Sequence, residues 1–279
     1  MQSPVKVISK VETVSHARKV MMREKLSRLI VVEGTKPVGT LTRRDIVNGM
    51  NNYRTRQRAL DSILIEEIMR SPAITLSEND SVTEAACKMV HDSIKGLPVV
   101  DNSGELVGII TKTDLTRHFS ESYKGGLKVG DMCQPPEGIV IVSPSHSASR
   151  AAELMCEKGL DRAIVVDGNK PIGVITETDL SAMNPNRSKN PFLTRGAKGT
   201  GTREDEEIMS NTRVYLTPIA EEVMTRDPIT VERSEGAAAA AGMLIDRNIG
   251  GMPVVSKNGE LIGMVTKFDF VKLLAKEVK

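Results

Sequence analysis

Apolar positions in this chain switch period four times over, from short extended runs to a helical spacing and back. The pattern is clearest between residues 73 and 114. Residues 73–76, after Pro72, predict a short extended segment. Val82, Ala85, Ala86 and Met89 then fall at i, i+3, i+4 and i+7, the spacing of an amphipathic helix. Gly96–Val100 predicts a strand, Asp101-Asn-Ser-Gly104 a turn and Leu106–Thr111 the returning strand, with a second helix opening near Asp114. The predicted order is strand, helix, strand, strand, helix.

Three other stretches follow the same plan. Ala148, Ala151, Ala152 and Met155 repeat the helical spacing, as do Ala237, Ala240, Ala241 and Leu244, while Val14, Ala17 and Met21 keep most of it. Each copy closes on a Thr-x-x-Asp tetrad: Thr42 and Asp45, Thr111 and Asp114, Thr176 and Asp179, Thr266 and Asp269. The Asp-to-Asp intervals of 69, 65 and 90 residues are too long for solenoid units and suit small α/β modules. Repeats at 1–58, 59–122, 123–185 and 217–279 result, with a polar insertion at 186–216. That last segment, beginning near residue 184, carries six Lys/Arg, an acidic cluster at 204–207 and Gly196, Gly199 and Gly201, and reads as a solvated linker.

The copies alternate. The even ones share Gly-(Leu/Met)-Pro-Val-Val at Gly96–Val100 and Gly251–Val255. The odd ones carry Arg28 and Arg162, which the sequence comparison sets on the residue before that Pro, and share Lys-Pro-(Val/Ile)-Gly from Lys36 and from Lys170. A duplicated pair accounts for this, so the expected folding unit is two repeats, each covering an apolar face the other cannot cover alone.

Composition narrows the partners. Charged residues are 27% with a net charge of +2, so no single-sign field points to nucleic acid or an anionic membrane. Aromatics are 3% and Trp is absent, which gives no base-stacking platform. Cys87, Cys133 and Cys156 form no Cys-x-x-Cys, arguing against a zinc site and for a reducing compartment. His16, His91, His118 and His146 are dispersed without metal-ligand spacing. No apolar leader is visible, and the most apolar run, residues 236–245, is about half a membrane span. The expectation is a cytoplasmic protein.

The tetrads carry the chemistry. A Thr hydroxyl and backbone N–H groups at a helix N-terminus favour an anion such as phosphate. A carboxylate three residues on can accept both hydroxyls of a ribose diol, using both oxygens. A guanidinium on an adjoining strand matches phosphate bidentately. The same residues also spell a capping box, whose purpose is to satisfy orphan N–H groups. Asp in all four acid positions, with Arg at matching places in two copies, favours a ligand at some of them; capping and binding are compatible.

Units with Gly-x-Pro-Val and a terminal Thr-x-x-Asp resemble cystathionine-β-synthase (CBS) domains, and the resemblance covers nearly the whole chain outside the insertion. Four such units are similar to the γ subunit of AMP-activated protein kinase and its stand-alone archaeal relatives. The resemblance implies an α/β (α+β) fold: four β-α-β-β-α repeats paired as two pseudo-twofold Bateman modules, residues 1–122 and 123–279, in a disc. It implies adenosine-containing ligands in the clefts between paired repeats. Asp45, Asp114, Asp179 and Asp269 would then hold ribose, and Arg28, Arg162, Thr42, Thr111, Thr176 and Thr266 phosphate. Ser9, Thr75, Ser143 and Thr230 match the polar residue on the first strand that touches ligand. The chain departs from the γ pattern in having no His before either Arg and an intact Asp in every copy.

The expected function is sensing rather than catalysis: a regulatory AMP, ADP or ATP site with no catalytic residue, no metal and no resident cofactor, read by an unidentified protein effector. The resemblance also allows a homodimer. Two alternatives stay open, a binder of S-adenosylmethionine or methylthioadenosine and a ligand-free interaction scaffold.

Overall fold

A middle strand organises each repeat. In a computed structural model that describes residues 1–51, 58–182 and 218–276, β1 (Val7–Ser9) runs parallel and β3 (Lys36–Thr42) antiparallel to β2 (Arg28–Glu33). The crossover from β1 to β2 is α1 (Val14–Arg23), and α2 (Arg43–Asn51) leaves β3 directly. The second repeat has β4 (Leu76–Ser77), α3 (Val82–His91), β5 (Gly96–Val100), β6 (Leu106–Thr111) and α4 (Lys112–Ser122), with β5 central. The third has the short α5 (Val129–Met132), then β7 (Ile141–Val142), α6 (Ala148–Glu157), β8 (Arg162–Asp167), β9 (Lys170–Thr176) and α7 (Glu177–Ala182). The fourth has the short α8 (Ala220–Val223), β10 (Thr225–Arg226), β11 (Val231–Glu232), α9 (Ala237–Asp246), β12 (Gly251–Val255), β13 (Leu261–Thr266) and α10 (Lys267–Lys276). The predicted insertion at 186–216 lies outside the described residues.

Local chemistry sets these boundaries. Ser81 opens α3 through a reciprocal box: its N–H donates to Glu84 Oε2 at 2.6 Å and Glu84 N donates to its Oγ at 3.1 Å. Thr13 and Ser147 cap α1 and α6 through their side chains. The predicted apolar faces are the buried ones: Ala85, Ala86 and Met89 on α3, and Ala237, Ala240, Ala241 and Leu244 on α9. Ala at these places lets neighbouring elements approach closely, so a larger side chain would cost about 1–3 kcal/mol. The extended segment predicted at 73–76 is paired only from its last residue, with Leu76 against Val99 and Ser77 against Val100.

The repeats exchange edges in pairs. Met1–Gln2, before the first strand of the first repeat, adds to the second repeat's sheet: Gln2 N donates to Ile109 O at 2.8 Å and Ile109 N to Gln2 O at 3.0 Å. Arg70, before the first strand of the second repeat, bonds in the same way to Thr40 of the first, at 2.9 and 3.0 Å. Gln134 does so with Met264 in the fourth repeat, and β10 with β9 in the third. The cores are exchanged too. Ile63 and Ile65 complete the first repeat's buried cluster, and Ala220 and Met224 complete the third's.

The chain divides into two compact units, one of residues 1–123 with 267–279 and the other of residues 124–266. In the first, α10 packs on α3 and α4: Phe270 lies 5.2 Å from Phe119 between ring centroids, and Thr116 Oγ1 donates to Lys267 O at 3.1 Å. The last helix therefore belongs with the first two repeats rather than with its own.

Candidate functional site

Each returning strand runs straight into a helix, and the tetrad sits on that join. Thr42 N and Oγ1 both donate to Asp45 Oδ2, at 2.8 and 2.6 Å, and Asp45 N donates back to Thr42 Oγ1 at 3.2 Å. Thr111 donates to Asp114 Oδ2 at 2.8 and 2.6 Å, and Thr176 to Asp179 Oδ2 at 2.7 and 2.6 Å. This is a capping box with Asp in the acid position. In these three copies Oδ2 already accepts twice, which fills its lone pairs and leaves Oδ1 for anything else.

The second oxygen fares differently from copy to copy. Asp45 Oδ1 receives Arg70 Nε at 2.9 Å, and the Asp45 side chain is only 7% exposed. Asp114 Oδ1 faces Arg117 Nη1 at 3.9 Å, and Asp269 Oδ1 faces Lys272 Nζ at 3.3 Å. Among the described residues, Asp179 Oδ1 has no hydrogen-bond or ion-pair partner.

The two arginines stand beside these boxes. Arg28 pairs across the sheet with Thr42, and Arg162 with Thr176. In the even sheets Gly96 faces Thr111 and Gly251 faces Thr266, so Arg occupies the place of that Gly, not of the residue before Pro. Arg28 is half-buried, and among the described residues its guanidinium makes one hydrogen bond, from Nη1 to Gly96 O at 3.3 Å. Lost hydration pulls its guanidinium down to about 10, the nearby positive charge of Arg70 adds to this, and Asp45 partly offsets both. Among the described residues it has no carboxylate in ion-pair contact. Arg162 is matched instead: its Nε donates to Asp161 Oδ1 at 2.8 Å.

A family model of the CBS domain matches residues 1–52, 65–121, 129–183 and 220–276. This chain belongs to the CBS-domain family. It is 26% identical over 275 residues to the uncharacterized protein MJ1225 of Methanocaldococcus jannaschii, covering 94% of this chain and 92% of that one. The crystal structure of MJ1225, introduced as a proposed archaeal homologue of g-AMPK, matches with a TM-score of 0.75 at 25% identity over 99% of this chain and 98% of that one. The uncharacterized protein MJ1404 of the same organism is 28% identical over 203 residues, 71% of this chain and 44% of its own length. A conserved protein of Pyrococcus horikoshii shares the fold, with a TM-score of 0.66 at 21% identity over 98% of this chain and 97% of that one.

The first-strand residues of the CBS repeats are not equivalent to one another. Ser9 pairs with Val32, four residues along β2 from Arg28 and so about 13 Å from it. Ser143 holds the same level in the third repeat, where its N–H donates to His146 Nδ1 at 2.9 Å. Thr75 and Thr230 precede strands that begin one level lower, about 7 Å nearer the tetrad end. At their level the odd repeats present Val7 and Ile141, which are 46% and 39% exposed. The strand register therefore brings Thr75 and Thr230 toward the tetrads and carries Ser9 and Ser143 away.

Sequence reasoning missed Arg70. Its signal is a second recurring pattern, Met1-Gln-Ser-Pro4, Met69-Arg-Ser-Pro72, Cys133-Gln-Pro-Pro136 and Met224-Thr225, which marks the exchanged edge segments. The register gives Gln2, Arg70, Gln134 and Thr225 the same place in the four CBS repeats. An open hollow of about 390 Å³ lined by Lys128, Asp131, Glu232, Arg233 and Lys257 lies elsewhere, at the end of the β11–β12–β13 sheet away from Thr266. Among the described residues no helix is long and apolar enough to cross a membrane.

Proposed function

We propose that this CBS-domain protein is a regulatory sensor that binds adenine nucleotides at the tetrad ends of its paired repeats. The observation that carries the reading is Arg28: a half-buried guanidinium, short of counter-charge, opposite the tetrad threonine and close to Asp45. Burying a cation without a partner is costly. A phosphate beside Arg28 and Arg70 supplies the missing charge through short charge-assisted hydrogen bonds. Thr42, Thr111, Thr176 and Thr266 stand at the phosphate end and Asp45, Asp114, Asp179 and Asp269 at the ribose end, where a ribose reaches Asp45 Oδ1 only by displacing Arg70. Exposed aliphatics on or just before the first strands, Val7, Ile74, Ile141 and Ile229, supply apolar surface for a flat base. The family and the likeness to MJ1225, a proposed homologue of g-AMPK, support the same reading.

The tetrads bind rather than catalyse. Asp45 is held at once by the Thr42 amide, the Thr42 hydroxyl and Arg70, which ties it down as a cap instead of leaving it free as a base. Occupancy is read by a partner that prefers one arrangement of the repeats, so ligand and partner affinities are linked.

The test is calorimetric titration with AMP, ATP and methylthioadenosine of the native chain, Arg28→Gln and Asp179→Ala. A charge-assisted contact is worth about 1.5–3 kcal/mol, so each substitution should weaken AMP binding roughly ten- to hundredfold. Equal AMP affinity in all three proteins removes the assignment. A preference for methylthioadenosine over AMP makes the ligand a phosphate-free adenosine compound.

A further inference from the structure

The two units are built on one plan, yet the charge around their arginine-bearing boxes is opposite in sign. In the first unit Arg28 and Arg70 stand with Asp45, two guanidiniums to one carboxylate. In the second Arg162 is ion-paired with Asp161 at 2.8 Å, and Asp179 adds another carboxylate on the strand-to-helix join opposite it. Two sequence differences produce the reversal. Thr225 holds the place of Arg70, and Asp161 holds the place of Ser27. Arg226, next along, is engaged by Glu221 at 2.9 Å and does not restore the missing charge.

We infer that Arg70 makes the first unit select ligands by phosphate charge, whereas the second unit binds the nucleoside portion with little dependence on phosphate. This rests on the nucleotide-sensor reading above and assigns a ligand class to each unit.

Arg70 acts in two ways. Its Nε occupies Asp45 Oδ1, the oxygen that the capping box leaves open, so a neutral nucleoside must compete with a guanidinium for the carboxylate. The Arg70 side chain is 54% exposed, and among the described residues its remaining donors have no partner. An anion draws those donors toward itself and toward Arg28, which relieves the repulsion between the two cations and frees Asp45. In the second unit Asp179 Oδ1 is open from the start, and Arg162 already has its counter-ion. A phosphate there meets a site whose near charges are net negative.

Calorimetric titration of the full chain with adenosine, AMP and inorganic pyrophosphate, in the native protein and in Arg70→Thr and Thr225→Arg, tests this. Thr is the residue the second unit carries at the same place, and Arg70 is exposed, so the fold tolerates the exchange. Arg70→Thr should weaken pyrophosphate binding roughly ten- to hundredfold and shrink the AMP-over-adenosine preference by a similar factor, with no loss of adenosine affinity. Thr225→Arg should create a second phosphate-dependent site. Pyrophosphate affinity and AMP-to-adenosine ratio unchanged in Arg70→Thr overturn the inference while leaving nucleotide sensing intact. Pyrophosphate binding that depends on Arg70, with no adenosine compound bound, overturns nucleotide sensing and keeps the charge assignment.

Discussion

Arg28 Nη1 donates to the carbonyl of Gly96 at 3.3 Å, joining two repeats across 68 positions of sequence. The contact explains why Arg in the odd repeats alternates with Gly in the even ones. A Cβ on Gly96 would sit 2.8 Å from that nitrogen and 3.2 Å from Ile110 O. A Cβ on Gly251 would meet Arg162 Nη1 at 2.8 Å, Val265 O at 2.9 Å and Met264 Cε at 3.0 Å.

Gly96→Ala should therefore destabilise the protein by about 1–3 kcal/mol, and Gly251→Ala by more, because a backbone carbonyl yields less than a side chain. Urea denaturation measures both. Arg28→Ala combined with Gly96→Ala should cost less than the sum of the single changes, since removing the guanidinium vacates much of the crowded space. Strict additivity would mean that the contact is not what fixes glycine there.

The exchanged edges make a prediction that sequence distance alone would place in the wrong repeat. Proline at Gln134 removes the N–H that donates to Met264 O at 2.8 Å, and proline at Gln2 removes the one that donates to Ile109 O. Each change should cost about 1 kcal/mol or more. Hydrogen exchange should quicken at Met264 in the fourth repeat for Gln134→Pro, and at Ile109 in the second for Gln2→Pro. Faster exchange confined to the substituted residue's own repeat would contradict the exchange of edges.

The repeat plan was legible because its signals are local and recur. Gly96–Val100 and Leu106–Thr111 are strands with the expected bounds, and the Ala faces of α3 and α9 are buried as their spacing predicts. What escaped depends on partners far along the chain. Arg70 is one residue on an exchanged edge segment, and nothing near it in the sequence shows that its guanidinium returns to Asp45, 25 positions earlier. The mismatch of Ser9 with Thr75 arises because parallel pairing, not sequence spacing, sets the level of a first strand. The packing of α10 with α3 and α4 had no local signal either, since Phe270 lies on an ordinary amphipathic pattern.

Acid stability should carry the mark of Asp80. Its carboxyl is held below the usual carboxylate range, first by the hydrogen bond from Lys88 and then by the Ser77 amide, at 3.0 and 3.1 Å. With the folded value depressed, the unfolded chain binds more protons in the window between the two values. The contribution is thus present above about 3.9, the ordinary value for Asp, and is lost as pH falls through the lower folded value. Asp80→Asn removes that difference, so its urea midpoint should decline less steeply than the native one below about pH 4. Glu84, likewise lowered by Ser81, remains in the variant and keeps part of the slope. Identical acid limbs in the two proteins would show that the Lys88 contact is too solvated to matter.

Phe270 comes from the fourth repeat but is buried against Phe119 of the second, both with no measurable exposure. Phe119 in turn stacks on Tyr123 at 4.6 Å, so α10 closes a small aromatic cluster on α4. Truncation to alanine there should cost about 3–5 kcal/mol, because the cavity is walled by helices that cannot fully collapse into it. The consequence should appear away from the substitution in sequence. Amides of α4 from Leu115 to Phe119 should lose protection from hydrogen exchange, while those of β12 and β13, which lie in the other unit, keep it. The reverse pattern would mean that α10 is stabilised by its own repeat, and that the Phe119 contact follows from its position without securing it.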